Sequence, residues 1–307
     1  MLPDQLPFEF DLDEDEPRDV YTGPMRFVTS VSQIKMFSPS AKGCPRKWAL
    51  HYLSKFPRER TPALVDGIRL HRAIKDKYHG IPGAEWHQKW KPGTPTADLA
   101  LALMRRVPDP PRWISEPTYF LEVPETAIFI KPDLLAKDWS GFKDWKSTSA
   151  KHKRSPWTLQ DPAWWPLGQM PDAASGDKYF SLKNDLQARI YAHGLMTLSG
   201  RDSIQAEWMY GSKKFKAAEQ PQTWSVSHTF FREETRDWVE MYALPVIRTM
   251  NALRAGWAEK QIDSGLLVPH NAFACDHKGR FCDLLGQCNF WKSPISLDRL
   301  QLPVIPS

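Results

Sequence analysis

Apolar residues recur at helical spacing through the first third of the chain, alternate with polar ones through the middle, and then switch twice more. An extended segment turning into a helix is predicted over Phe27–Lys35, with Ser32 as the cap and Ile34 and Phe37 as apolar anchors. Pro45 to Leu53 predicts a helix carrying Trp48, Tyr52 and Leu53, and Ala63 to Tyr78 a longer one with Leu64, Ile68, Ala73 and Ile74 on its apolar face. Gly80–Pro95 is rich in Gly, Pro and Trp and reads as loop, after which Thr96 can cap a helix reaching Arg106. The period then falls to two. Strands are expected over Glu116–Val123, Ala127–Ala136 and Gly141–Lys146, the last two paired antiparallel through turn residues Asp138 to Gly141. Residues 147–180 are irregular. A helix over Leu182–Leu198, strands over Gln205–Gly211 and Thr223–Phe231, and a helix over Glu233–Glu259, bent near Pro245, complete the pattern. Helices, strands, helix, strands, helix is an α/β (α+β) order, built on a central mixed sheet flanked by helices.

Charge is unevenly placed. The net charge is +5, yet residues 1–19 carry eight acids and one base, Arg18. The remaining chain therefore has 40 basic and 28 acidic side chains, a balance of +12, which suits a polyanionic partner or a solvated lysine-rich surface. Residues 1–24 read as an acidic disordered tail and 25–307 as a single domain. No apolar run reaches the roughly 18 residues of a membrane helix, and the N-terminus carries no secretory pattern, so a cytoplasmic setting without membrane contact is expected. Four cysteines, Cys44, Cys275, Cys282 and Cys288, can form two disulfides or one four-ligand metal site, and a cytosolic setting disfavours the disulfides.

The candidate chemistry sits on the expected hairpin. Ile130-Lys-Pro-Asp-Leu places Asp133 on one strand, and Phe142-Lys-Asp-Trp-Lys places Asp144 and Lys146 on the next. Strand alternation puts Asp144 and Lys146 on one face with Trp145 opposite. Two carboxylates and an ammonium converging there could hold Mg²⁺ or Mn²⁺, activate water and offset charge on a phosphate. The same spacing also arises on ordinary surface hairpins, where Asp144 and Lys146 would be only an ion pair.

Pro132-Asp133 and Asp144-Trp145-Lys146, followed by Ser147-Thr148, resemble the PD-(D/E)XK nuclease superfamily in its RecB-like and CRISPR-associated exonuclease branch. Further matches follow in order. Ser32-Gln-Ile, Phe37 and Cys44-Pro-Arg-Lys-Trp-Ala-Leu to Tyr52 are similar to the branch's opening helix. Gly67-Ile-Arg-Leu-His71 resembles its Gly-x-x-x-His helix, and Gln187-Ala-Arg-Ile-Tyr191 its Q-x-x-x-Y helix. The resemblance implies a restriction-endonuclease-like core and a metal-dependent deoxyribonuclease, in its exonuclease branch, serving recombination, repair or phage DNA metabolism, with a helicase or recombinase as a possible partner. It implies metal ligation by His71, Asp133, Asp144 and the Trp145 carbonyl, catalysis by Asp133, Asp144 and Lys146, and support from Glu116, Gln187 and Tyr191. Ile130 departs from the pattern, standing where many members have glycine. An alternative use of the same fold is a non-catalytic module gripping DNA or a helicase.

The resemblance also gives the cysteines a role. One early and three late cysteines are similar to the branch's four-iron four-sulfur (4Fe–4S) layout, which ties the N-terminal helix to a tail here spanning 270–290. The tail spacing C-x₆-C-x₅-C departs from the common C-x₂-C-x₅-C, which leaves structural Zn²⁺ as the alternative, with His277 able to replace a cysteine. Finally, Lys151, His152, Lys153 and Arg154 interleave with Trp157, Trp164 and Trp165, a composition that can bind a DNA strand or pack a loop.

Overall fold

The computed structural model describes residues 22–23, 27–38, 41, 43–56, 62–107, 110–148, 182–213 and 221–260, with Val268, Asp276–His277, Arg280–Phe281 and Cys288 beyond them. The acidic tail up to residue 21, the basic and aromatic stretch Lys151, Lys153, Arg154, Trp157, Trp164 and Trp165, and Cys275 and Cys282 lie outside the described residues.

Strand β1 (Phe27–Ser30) leads directly into helix α1 (Val31–Phe37). Its cap is Ser30, not Ser32: the Ser30 hydroxyl accepts the Gln33 N–H at 3.3 Å. Helices α2 (Pro45–Tyr52) and α3 (Pro62–Tyr78) follow as expected, but α4 (Gly83–Lys89) fills part of the stretch read as loop. Trp86 explains that turn of helix. It is fully buried, and its indole N–H donates to the Ala73 carbonyl at 2.8 Å. Helix α5 (Pro95–Met104) is capped by Thr94 rather than Thr96, with Pro95 in the first turn, where its missing N–H costs nothing.

Among the described residues the strands form two mixed sheets and a short hairpin instead of one sheet. The expected strand Glu116–Val123 is β2 (Trp113–Ser115) and β3 (Tyr119–Val123), separated by a turn. The expected strand Ala127–Ala136 is likewise two, β4 (Thr126–Ile130) and β5 (Leu134–Ala136). β4 sits between β1, parallel to it, and β3, antiparallel. β5 belongs to the second sheet, of order β2-β5-β6-β7-β8, where β6 is Gly141–Thr148, β7 Ser203–Ser212 and β8 Thr223–Phe231. Only the β6–β7 pair is parallel there. Pro132 makes the break between β4 and β5 intelligible, because it has no N–H to give a ladder. The tail hairpin pairs β9 (Asp276–His277) with β10 (Arg280–Phe281).

Helices cover both faces of the five-stranded sheet. On one face Leu134, Trp145 and Met209 pack with Leu70, Ala73 and Ile74 of α3 and Leu99 and Leu103 of α5. On the other, Phe142, Ala206, Trp208 and Tyr210 pack with α1, α2 and two helices still to be placed. The first is α6 (Leu186–Ser199), preceded by a 3-10 turn at Leu182–Asn184 and capped at its start by Asp185, whose carboxylate accepts the Ala188 N–H at 2.8 Å. It ends at Gly200, whose left-handed φ of 77° suits glycine. The second is the expected bent helix, resolved as α7 (Arg232–Trp238), a π turn over Val239–Ala243, and α8 (Leu244–Ala258). The widened turn directly precedes Pro245, whose ring would otherwise press on the preceding helical turn. Gln33 ties three helices together, accepting from Trp48 of α2 at 3.4 Å and from buried Arg254 of α8 at 2.7 Å.

Candidate active site

Short β5 exposes the edge on which the candidate chemistry lies. It pairs with β6 at Leu134↔Lys143 and Leu135↔Phe142, so among the described residues β6 has no strand partner on that side from Asp144 onward. Asp133 fills the gap. It lies in the crossover just before β5, not on a strand, and its Oδ2 accepts the Trp145 N–H at 2.6 Å in place of a ladder bond. N–H and C=O of one strand residue point to the same side, so the Trp145 carbonyl shares this open edge.

Alternation on β6 holds as expected: Phe142 packs into one helical layer and Trp145 into the other. Asp144 and Lys146 share the Phe142 face, form an ion pair, and lie beside Gln187 of α6. The Gln187 amide donates to Asp144 Oδ2 at 3.4 Å and accepts from Lys146 Nζ at 3.3 Å. Lys146 Nζ stands 5.2 Å above the Trp208 ring, which the register sets opposite Asp144 on β7. From the other layer, α3 brings His71, whose Nδ1 is 3.1 Å from Asp133 Oδ1. The centre thus straddles the sheet edge, with one helix contributing from each face.

Electrostatics separates the two carboxyls. Burial and then the charge of Asp133 push the Asp144 carboxyl up to about 7, toward its protonated form. Burial alone would raise Asp133 too, but His71 and the hydrogen bond from Asp144 hold it well below the usual carboxylate range. Burial lowers His71, yet the charge and hydrogen bond of Asp133 outweigh it and lift the imidazole to about 9. Burial likewise opposes the Lys146 charge, and Asp144 and Asp133 reverse that, so its pKa rises.

Two expected supporting residues act through their neighbours. Glu116 lies in the turn between β2 and β3 with φ 47°, a backbone region costly for a residue with a side chain. Its N–H donates to the Asp133 carbonyl at 2.9 Å, and its carboxylate pairs with Lys75 of α3 and Lys131 of the crossover, both at 3.3 Å. Lys75 is one turn after His71, so Glu116 ties the His71 face of α3 to the Asp133 crossover. Tyr191 is buried against Phe142, with ring centroids 6.1 Å apart, and hydrogen-bonds to Gln187 and to the Lys131 backbone. It steadies Gln187 from the core. The departure at Ile130 has a steric counterpart: a Cβ on Gly194 of α6 would overlap the Ile130 side chain. The bulk that glycine would omit from the strand is omitted from the helix instead.

Reading the sequence missed Lys35 and Asp185. Lys35 of α1 lies 3.8 Å from Asp185, and both act electrostatically on the Asp144–Lys146 pair. Asp185 could have been found as a helix cap had α6 been started after it. No period marks Lys35.

Of the cysteines, Cys44 stands at the N-cap of α2 and Cys288 lies in the tail; both are buried. Arg46 links the two regions. Its Nε donates to the Val268 carbonyl at 2.8 Å, and its Nη1 is 3.8 Å from Cys288 Sγ.

Among the described residues, no group of three or more His, Cys, Asp and Glu side chains stands in metal-holding geometry. His71, Asp133 and Asp144 are joined to one another by hydrogen bonds. Their chemistry nevertheless fits a hard divalent cation. Two adjacent buried carboxyls cannot both ionise without added positive charge, and oxygen donors are what such an ion takes.

The chain is similar in structure to a protein of Eubacterium rectale that has been provisionally named an exonuclease. The two align with a TM-score of 0.50 over 80% of this chain and 85% of that one, at 13% identity. At that identity the likeness is one of fold: helices around mixed sheets. No protein-family model and no curated protein matches the chain. Among the described residues no helix is long and apolar enough to cross a membrane.

Proposed function

We propose that this chain is a Mg²⁺- or Mn²⁺-dependent deoxyribonuclease, an exonuclease acting in the cytoplasm in recombination, repair or phage DNA metabolism. The observation that carries the reading is the meeting of Asp133, Asp144, Lys146, His71 and Gln187 at the unpaired edge of β6. Five polar side chains drawn from a crossover, a strand and helices of two layers are more than an ion pair on a hairpin requires.

His71, Asp133, Asp144 and the Trp145 carbonyl would hold the cation, His71 and Asp144 giving up their protons as it binds, and the bound cation would supply an acidified water and offset charge on the phosphate. Hydrolysis joins a water oxygen to phosphorus and breaks one phosphate ester bond, the leaving oxygen ending as a hydroxyl. Lys146 stays protonated between two carboxyls and presents its N–H groups to the phosphate oxygens as negative charge grows. Gln187 fixes that ammonium by accepting from it, and the Trp208 face holds it from below.

End-labelled single- and double-stranded DNA, incubated with Mg²⁺ or Mn²⁺ against EDTA, tests the reading. Metal-dependent cutting is expected, abolished in Asp144→Ala and reduced by about 10²–10³-fold in Lys146→Ala with folding and DNA binding retained. Lys146→Ala cutting at the wild-type rate would remove Lys146 from the mechanism. DNA binding without cutting by folded wild-type protein would favour the non-catalytic module.

We further propose that Cys44, Cys275, Cys282 and Cys288 hold a structural 4Fe–4S cluster, with Zn²⁺ as the alternative. The bridge to Cys288 from Arg46, which lies two residues after Cys44, supports bringing the first and last cysteines into one region. Metal analysis and visible absorption of anaerobically purified protein separate the two: iron with sulfide and a brown colour, or colourless zinc.

A further inference from the structure

A second lysine stands near Asp144 and Lys146. Val31, Gln33, Ile34 and Phe37 of α1 are buried, while the Lys35 side chain keeps 29% of its surface exposed. Its Nζ stands 3.8 Å from Asp185 Oδ2, longer than a hydrogen bond. The other Asp185 oxygen is committed to capping α6 through the Ala188 N–H, so the carboxylate is fixed by the helix that carries Gln187. Lys35 lies within electrostatic range of both Asp144 and Lys146, and Asp185 acts on Lys146 as well. Lys35, Asp185, Lys146 and Asp144 thus act on one another electrostatically as one group of neighbours.

Resting on the nuclease reading above, we propose that Lys35 is a substrate-positioning cation that binds the phosphate next to the scissile one on the same DNA strand, aimed by Asp185. The 29% of the Lys35 side chain that stays exposed leaves the ammonium a route of approach for a phosphate oxygen. The partial desolvation that lowers the Lys35 pKa is offset once an anion lies against it. A plain staple between α1 and α6 would need the same two residues but would not sense DNA.

The test is fluorescence anisotropy of a labelled single-stranded oligonucleotide with full-length protein in EDTA, across a salt series, with cleavage measured in parallel in Mg²⁺ or Mn²⁺. Lys35→Ala is expected to weaken binding about 5–10-fold at low salt and to reduce the slope of log K against log salt by about 0.7, one phosphate contact on a single strand. Lys35→Arg keeps the charge and is expected to stay near wild type. An unchanged slope and affinity in Lys35→Ala would overturn the proposal whether or not its melting temperature falls. The nuclease reading fails separately: wild type then leaves DNA uncut while the Lys35→Ala binding deficit remains.

Discussion

Asp144 and His71 are both displaced in the direction that favours the protonated form, which ties stability to pH. A carboxyl raised from 3.8 to about 7 binds a proton in the folded chain that the unfolded chain has released, so its contribution is full below about 4 and lost by about 7. His71, raised from 6.5 to about 9, contributes fully below 6.5 and loses that contribution as pH passes 9. Asp133 runs the other way, stabilising above its ordinary range and failing only in acid. Melting curves in EDTA should therefore show wild type losing ground to Asp144→Asn between about pH 4 and 7, with the variant the more stable above that. Parallel pH profiles would show that Asp144 is ionised in the neutral range. The residue chemistry itself was legible: Asp133, Asp144, Lys146, His71 and Gln187 stand out by type and order. Lys35 and Asp185 did not, because a lone lysine on an amphipathic helix and a cap inside a misplaced boundary carry no signal until α1 and α6 are packed.

At the level of elements, patterning located most helices and strands and misjudged where they break. Ile128, Ile130 and Leu134 keep an even spacing across the crossover, so periodicity alone runs β4 and β5 together. Pro132 was the one mark of the break. Ser30 and Thr94 each cap two residues before the expected serine and threonine, since several hydroxyls compete and only backbone geometry chooses among them. Helix α4 was hidden in Gly, Pro and Trp composition, because Trp86 is held by tertiary packing rather than by helix propensity. The packing of β4 on α6 gives an element-scale prediction. Gly194→Ala should cost about 1–3 kcal/mol, and Ile130→Val in the same chain should recover part of it. Denaturant midpoints over the double-mutant cycle measure the coupling, and strict additivity would mean that the two side chains do not compete for space.

In the whole molecule, two helical layers clasp one five-stranded sheet, and the candidate centre takes a helix residue from each layer. Its partners are far apart in sequence: His71 and Asp133 are 62 residues apart, Asp144 and Gln187 43. The layered architecture was legible in the order of elements, but two sheets were not distinguishable from one. Strand pairing partners and the parallel β6–β7 register depend on contacts that no local pattern encodes.

The straddling of the sheet edge has a kinetic side. A centre that draws on both layers cannot be complete until both have docked, and contacts of such sequence separation form late. After dilution from denaturant, recovery of DNA cleavage should trail recovery of tryptophan fluorescence, and simultaneous recovery would contradict this order. On the ribosome the delay has a use. A nascent chain that has emerged only as far as β6 already displays both aspartates and Lys146 but lacks α6 to clamp them, so on the nuclease reading it stays harmless to nearby nucleic acid until α6 has emerged as well.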